Sequence, residues 1–126
     1  MATPAVARDL AVDLRDDRPG MLARAAEAIA SGGLNLEGFA EVDGILHVLT
    51  ADARSARLAL ESVGLRVTAE NEVILAQVQD RPGAAAALFG RLAEAGINIG
   101  YTYVASGNRV VIAADDAERA LHVLGP

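Results

Sequence analysis

At 126 residues the chain has room for one or two small domains, and its 52% hydrophobic content supplies enough apolar side chain to fold. A net charge of −6, with all eleven basic residues arginine, lacks the basic footprint that binding to a phosphate backbone requires, so nucleic acid is not an expected partner. With no cysteine, disulfides and thiolate zinc sites are excluded, as a reducing compartment would allow.

The opening residues, Met1 to Leu10, hold no apolar run of signal-peptide length. Nowhere do 18 uncharged apolar residues follow one another, so no membrane partner is expected. The expected location is cytoplasmic.

In chain order, residues 9–15 alternate apolar and polar, the pattern of a half-buried strand. A Pro-Gly turn follows, then Met21, Leu22, Ala25, Ala26 and Ile29 mark one face of a helix that ends at Ser31-Gly32-Gly33. Two strands, 35–42 and 45–51, are joined by Asp43-Gly44, a tight hairpin signal. Residues 53–63 form a second helix with Leu58, Leu60 and Val63 on one side, stopped by Gly64, and 65–68 is a last strand.

The same order then repeats. Asp17-Arg18-Pro19-Gly20 recurs as Asp80-Arg81-Pro82-Gly83, and between Asp17 and Asp52 12 of 36 residues are identical to those 63 positions later. Gly44 is thereby matched with Gly107, Val48 with Val111 and Asp52 with Asp115. In the first strand, Leu10, Val12 and Leu14 match Ile74, Ala76 and Val78 at a spacing of 64, so the first repeat carries one extra residue near Asp16-Asp17. Beyond Asp115 the spacing that matches Ala56 and Leu60 with Ala117 and Leu121 is 61. Repeat 2 is expected to have helix 84–95, strands 98–105 and 109–114, and helix 116–124.

The order β-α-β-β-α-β, twice, predicts an α+β chain of two tandem ferredoxin-like domains, 8–70 and 71–126, with antiparallel sheets and helices on one face. Ala69–Glu72 alone separate them, and the second domain lacks a clear last strand. The edge left by that absence is expected to be covered by the arm Ala2–Arg8 or by a second chain.

The segments Asp17–Gly38 and Asp80–Tyr101 each run Asp-Arg-Pro-Gly, a helix rich in Ala and Leu, then Gly-Leu/Ile-Asn-Leu/Ile. This pattern resembles the ACT domain family, and in particular short bacterial proteins made of two such domains. The resemblance covers nearly all of the chain; the missing last strand and the extra residue near Asp16 depart from it. It implies a non-catalytic allosteric sensor of a free amino acid, working as a homodimer on an unknown regulated protein, with ligands in the interface between domains.

The residues carry that chemistry by themselves. A Pro-Gly turn feeding a helix presents unpaired N–H groups with the positive end of the helix dipole behind them, a place for a carboxylate. Asp17 and Asp80 can receive an ammonium group beside it. The expected ligand-binding residues are Asp17, Arg18, Pro19, Gly20, Met21 and Leu22 with Asn35 and Leu36, and Asp80, Arg81, Pro82, Gly83, Ala84 and Ala85 with Asn98 and Ile99. Family geometry implies that the strand openings at Asn35 and Asn98 supply the second wall. Ala84–Ala87 are expected to leave more room than Met21 and Leu22, making the Gly83 junction the better pocket.

Each residue also has a plainer role: Asp17 and Asp80 as helix N-caps, Asn35 and Asn98 as turn formers, Arg18 and Arg81 as solvated charges, Gly33 and Gly96 as helix C-caps. Tyr101 and Tyr103 share one side of a strand, a packing pair. His47 and His122 have no clustered carboxylate, so no metal and no cofactor is expected. No nucleophile with its base is apparent, so the chain is not expected to be an enzyme. The competing reading is a ligand-free dimerisation module that modulates a partner enzyme, transporter or regulator.

Overall fold

A computed structural model describes residues 3–15 and 19–125. The elements are β1 (Ala5–Asp13), α1 (Met21–Ser31), β2 (Gly38–Val42), β3 (Ile45–Leu49), α2 (Ala53–Ser62), β4 (Arg66–Gln77), α3 (Ala84–Glu94), β5 (Ile99–Ala105), β6 (Arg109–Ala114) and α4 (Ala117–Leu124).

The strands follow the order β1-β3-β2-β5-β6-β4, and that order closes into a barrel. The expected pair of tandem ferredoxin-like domains, each with its own open sheet, is therefore corrected to one closed six-stranded barrel with four helices. The physical reason lies in β4. Ala69–Glu72, read as the junction between two strands, lie inside one uninterrupted strand of 12 residues that serves both repeats. A closed sheet has no free edge to protect.

By compactness the chain divides into Arg8–Asn71 and a second unit of Glu72–Gly125 with residues 3–7. The beginning of β1, Ala5–Ala7, thus belongs with the second repeat, which has no strand after α4 among the described residues.

In the first unit β1 and β2 flank β3 antiparallel, with Leu10 opposite Val48 and Phe39 also opposite Val48. Asp43 and Gly44 both have positive φ (52° and 79°), as a two-residue hairpin between Val42 and Ile45 demands. Leu10, Val12 and Leu14 pack with Leu46 and Val48 against Ala25, Ala28 and Ile29 of α1 and Ala56 and Leu60 of α2. Alanine and aliphatic side chains at helical spacing let α1 lie close on α2. Leu58, expected on the buried face of α2, is exposed; Ala56 and Leu60, one turn apart, hold that face. Nor is β1 half-buried, since Asp9, Leu10, Ala11 and Val12 are all buried.

The second unit repeats this plan. Ile74 stands opposite Ile112, and Ile74, Ala76, Val110 and Ile112 pack with Leu92 of α3 and Ala120 and Leu124 of α4. Gly33, Gly64 and Gly96 sit in the left-handed region, and Leu34, Leu65 and Ile97 just after them donate back to Ile29, Leu60 and Leu92 carbonyls at 3.2, 3.1 and 3.0 Å. This is the glycine-terminated helix end that the sequence predicts for Gly33 and Gly96.

The repeat spacing differs from the sequence expectation after the hairpin. The first hairpin loop has two residues, Asp43-Gly44, and the second has three, Ser106-Gly107-Asn108. Val48 therefore corresponds to Ile112, not Val111, and the N-cap Asp52 to Asp116, not Asp115. The spacing in α2 and α4 is 64, since Ala56 and Leu60 match Ala120 and Leu124; the expected 61 is corrected.

Candidate ligand-binding site

All four helices need partners for their first N–H groups, and they meet that need in two ways. Helices α2 and α4 begin at Asp52 and Asp116, whose carboxylates accept from Ser55 N–H (3.1 Å) and Arg119 N–H (3.0 Å). Helices α1 and α3 begin instead at Gly20 (φ 95°, ψ −3°) and Gly83 (φ 85°, ψ −12°), with no side-chain cap. Their first i→i−4 bonds are Arg24 N–H to Gly20 O (2.9 Å) and Ala87 N–H to Gly83 O (3.0 Å), so the amides before them have no helical carbonyl to meet. At both glycines a Cβ would find nothing within 4 Å.

Asp80 is exposed and lies three residues before the Gly83 cap, which rules out its expected alternative role as an N-cap. Arg81 is tied locally: its N–H donates to Gln79 O (2.9 Å) and its Nε to Gln79 Oε1 (2.6 Å). Pro82 and Ala85 are exposed, and half-buried Ala84 donates its N–H to Arg81 O at 3.3 Å. Asn98 is exposed and spends its backbone on Asp115, accepting from its N–H (3.0 Å) and donating to its Oδ1 (3.3 Å). Ile99 opens β5 and packs on the second core.

In the first unit Asp17 and Arg18 lie outside the described residues. Pro19 and Gly20 are exposed, and Met21 and Leu36 pack on the first core. Asn35 is exposed in the loop after α1. Leu22 is half exposed and shares with Leu36 an apolar cavity of about 270 Å³ closed by Phe39, Ile29 and Val48.

The structure brings some expected residues together and leaves others apart. Leu22 and Leu36 meet in that cavity, and Arg81 and Ala84 share a cleft of about 210 Å³ with Gln77, Gln79 and Arg91. Asn98 and Ile99 do not line the latter.

Sequence reasoning missed one cluster. His47 on β3, read as having no carboxylate nearby, has Nδ1 3.5 Å from Oδ2 of fully buried Asp9 on β1, and Asn71 Nδ2 donates to Asp9 Oδ1 at 3.2 Å. Only strand pairing brings these three together; a buried-looking alternation with an Asp inside it was the signal available. Among the described residues no group of three or more His, Cys, Asp or Glu side chains is placed to hold a metal ion. Among them, too, no helix is long and apolar enough to cross a membrane.

No protein-family model matches the chain, and no curated protein matches it. Among solved structures it is similar to a protein of Bacteroides thetaiotaomicron, at 28% identity over 98% of this chain and 89% of that one, with a TM-score of 0.82. It is also similar to the ligand-free regulatory subunit of aspartate kinase from Thermus thermophilus, at 23% identity over 96% of this chain and 92% of that one, with a TM-score of 0.62. A third likeness is to E. coli aspartokinase III in complex with lysine and aspartate (T-state), at 16% identity over 96% of this chain and 31% of that one, with a TM-score of 0.59. The chain thus has the fold of aspartate kinase regulatory subunits.

Proposed function

We propose that the chain is a non-catalytic regulatory protein that binds a free amino acid, its carboxylate held at the glycine-led starts of α1 and α3. The observation that carries this reading is the division among the helices. Where α2 and α4 have their own aspartate as cap, α1 and α3 begin at an open glycine with no side-chain cap among the described residues. Amides with the positive helix end behind them favour a carboxylate. Exposed Asp80 beside the second junction suits the ammonium group of the same zwitterion. The likeness to regulatory subunits of aspartate kinase, and to an aspartokinase that takes lysine and aspartate, supports the same ligand class.

The test is a thermal-unfolding panel with the twenty amino acids, since a ligand that binds only the folded chain raises Tm by mass action. A rise with one or a few of them, lost in Gly83→Val or Gly20→Val, is the expected result. No rise with any at millimolar concentration refutes ligand sensing and favours the dimerisation module.

A further inference from the structure

Apart from the amino-acid reading, the first unit holds a charged cavity of its own. A cavity of about 360 Å³ opens where β1 ends and β4 begins, floored by Met21 and Leu65 and ringed by Asp13, Arg15, Arg24 and Arg66. In a chain of net charge −6, this gathers three guanidinium groups around one carboxylate.

Two of the three are held in place by contacts that use only part of their donor set. Arg15 grips Asp13 through Nε (3.1 Å) and Nη2 (3.0 Å). Its stem lies across Gly44, where a Cβ would come within 2.5 Å of Arg15 Cγ. Arg24 donates from Nη2 to the Val63 carbonyl at the end of α2. Each guanidinium has five N–H donors in a rigid fork, so donors remain on both. Among the described lining residues Asp13 is the one carboxylate against three guanidinium groups, so two positive charges remain in excess on the cavity. Like charges lining one cavity repel, and an anion bound there relieves the repulsion.

We propose that this cavity binds a small oxyanion carrying two negative charges, a phosphate group or a dicarboxylate. Arg66 contributes charge and Arg15 and Arg24 contribute oriented hydrogen bonds.

The experiment is an amide NMR titration of the full chain with sodium phosphate, and separately with succinate, each against sodium chloride at matched ionic strength. Saturable shifts at Arg15, Arg24, Gly64 and Arg66, with a Kd of about 1 mM, are expected with one anion or both. Phosphate alone identifies a tetrahedral group; both identify any dianion. Arg66→Glu should weaken binding about tenfold or more, and Arg66→Gln by less. Shifts no larger than those with chloride, or equal affinity in both Arg66 variants, overturn the proposal. Gly83→Val should leave this titration unchanged, so failure here and failure of the amino-acid panel are separate results.

Discussion

The Nδ1 of His47 stands 3.5 Å from Oδ2 of Asp9, a side chain with no solvent exposure. Pairing of β1 with β3 sets Ala11 opposite His47, and Asp9 is the next residue of β1 on that same face. A buried carboxylate is costly unless partners surround it. His47→Ala takes away the nearest imidazole and should destabilise the fold by about 1–3 kcal/mol in urea unfolding. Asn71→Ala, which removes the 3.2 Å amide bond to Asp9 Oδ1, should cost about 1–2 kcal/mol. If His47→Ala is neutral within about 0.5 kcal/mol, the pairing does not support the fold.

The two kinds of helix start make a second prediction. Asp52→Ala and Asp116→Ala each remove a carboxylate that accepts from the third helical amide, and each should cost about 1 kcal/mol. Asp80→Ala, lying ahead of a glycine cap, should fall within about 0.5 kcal/mol of the parent. Denaturant midpoints at constant m-value give the comparison, and equal losses at Asp80 and Asp116 would contradict the assignment of caps.

Local signals in the sequence located all four helices, the Asp43-Gly44 hairpin and the glycine helix ends, because each depends on neighbours in the chain. What escaped them was long-range. The stretch Ala69–Glu72 reads as a joint because repeat logic demands a boundary there, yet extended backbone can run through it, and β4 does. One residue added to the loop at Ser106–Asn108 carried the match of Asp52 from Asp115 to Asp116, a shift that identity counting cannot detect when both positions are aspartate. The burial of Asp9 depends on partners far along the chain, His47 and Asn71, and so was hidden in a strand that alternates. Of the site, the glycine junctions were legible as turn chemistry; the arginine-ringed cavity was not, since β1, α1 and β4 meet there only in the fold.

Two glycines with similar φ should respond differently to alanine. Gly83 (φ 85°) has open space around it, so Gly83→Ala should cost only the left-handed backbone penalty, about 1–2 kcal/mol. Gly44 (φ 79°) carries the same penalty, and its Cβ would lie 2.5 Å from Arg15 Cγ and 3.1 Å from Arg15 Cα. Displacing that backbone adds an overpacking cost of about 1–3 kcal/mol. Chemical denaturation of the two variants should therefore rank Gly44→Ala as the less stable; the opposite order would show that Arg15 does not lie across the hairpin.

The Asp13–Arg15 pair makes a prediction in acid. Side-chain and backbone hydrogen bonds from Arg15 hold the Asp13 carboxyl at about 2, below its ordinary 3.8. A carboxyl whose folded value is depressed stabilises the fold above its unfolded value and loses that contribution as pH falls through the folded one. The contribution of this pair should thus be complete above about pH 4 and decline towards pH 2. Carboxyl NMR titration should give Asp13 a midpoint near 2, and Arg15→Gln should return it towards 3.8. Because the Arg15 side chain is 65% exposed, added salt should weaken the effect. A midpoint at or above 3.8 in the unaltered chain would mean that Arg15 does not engage Asp13 in solution.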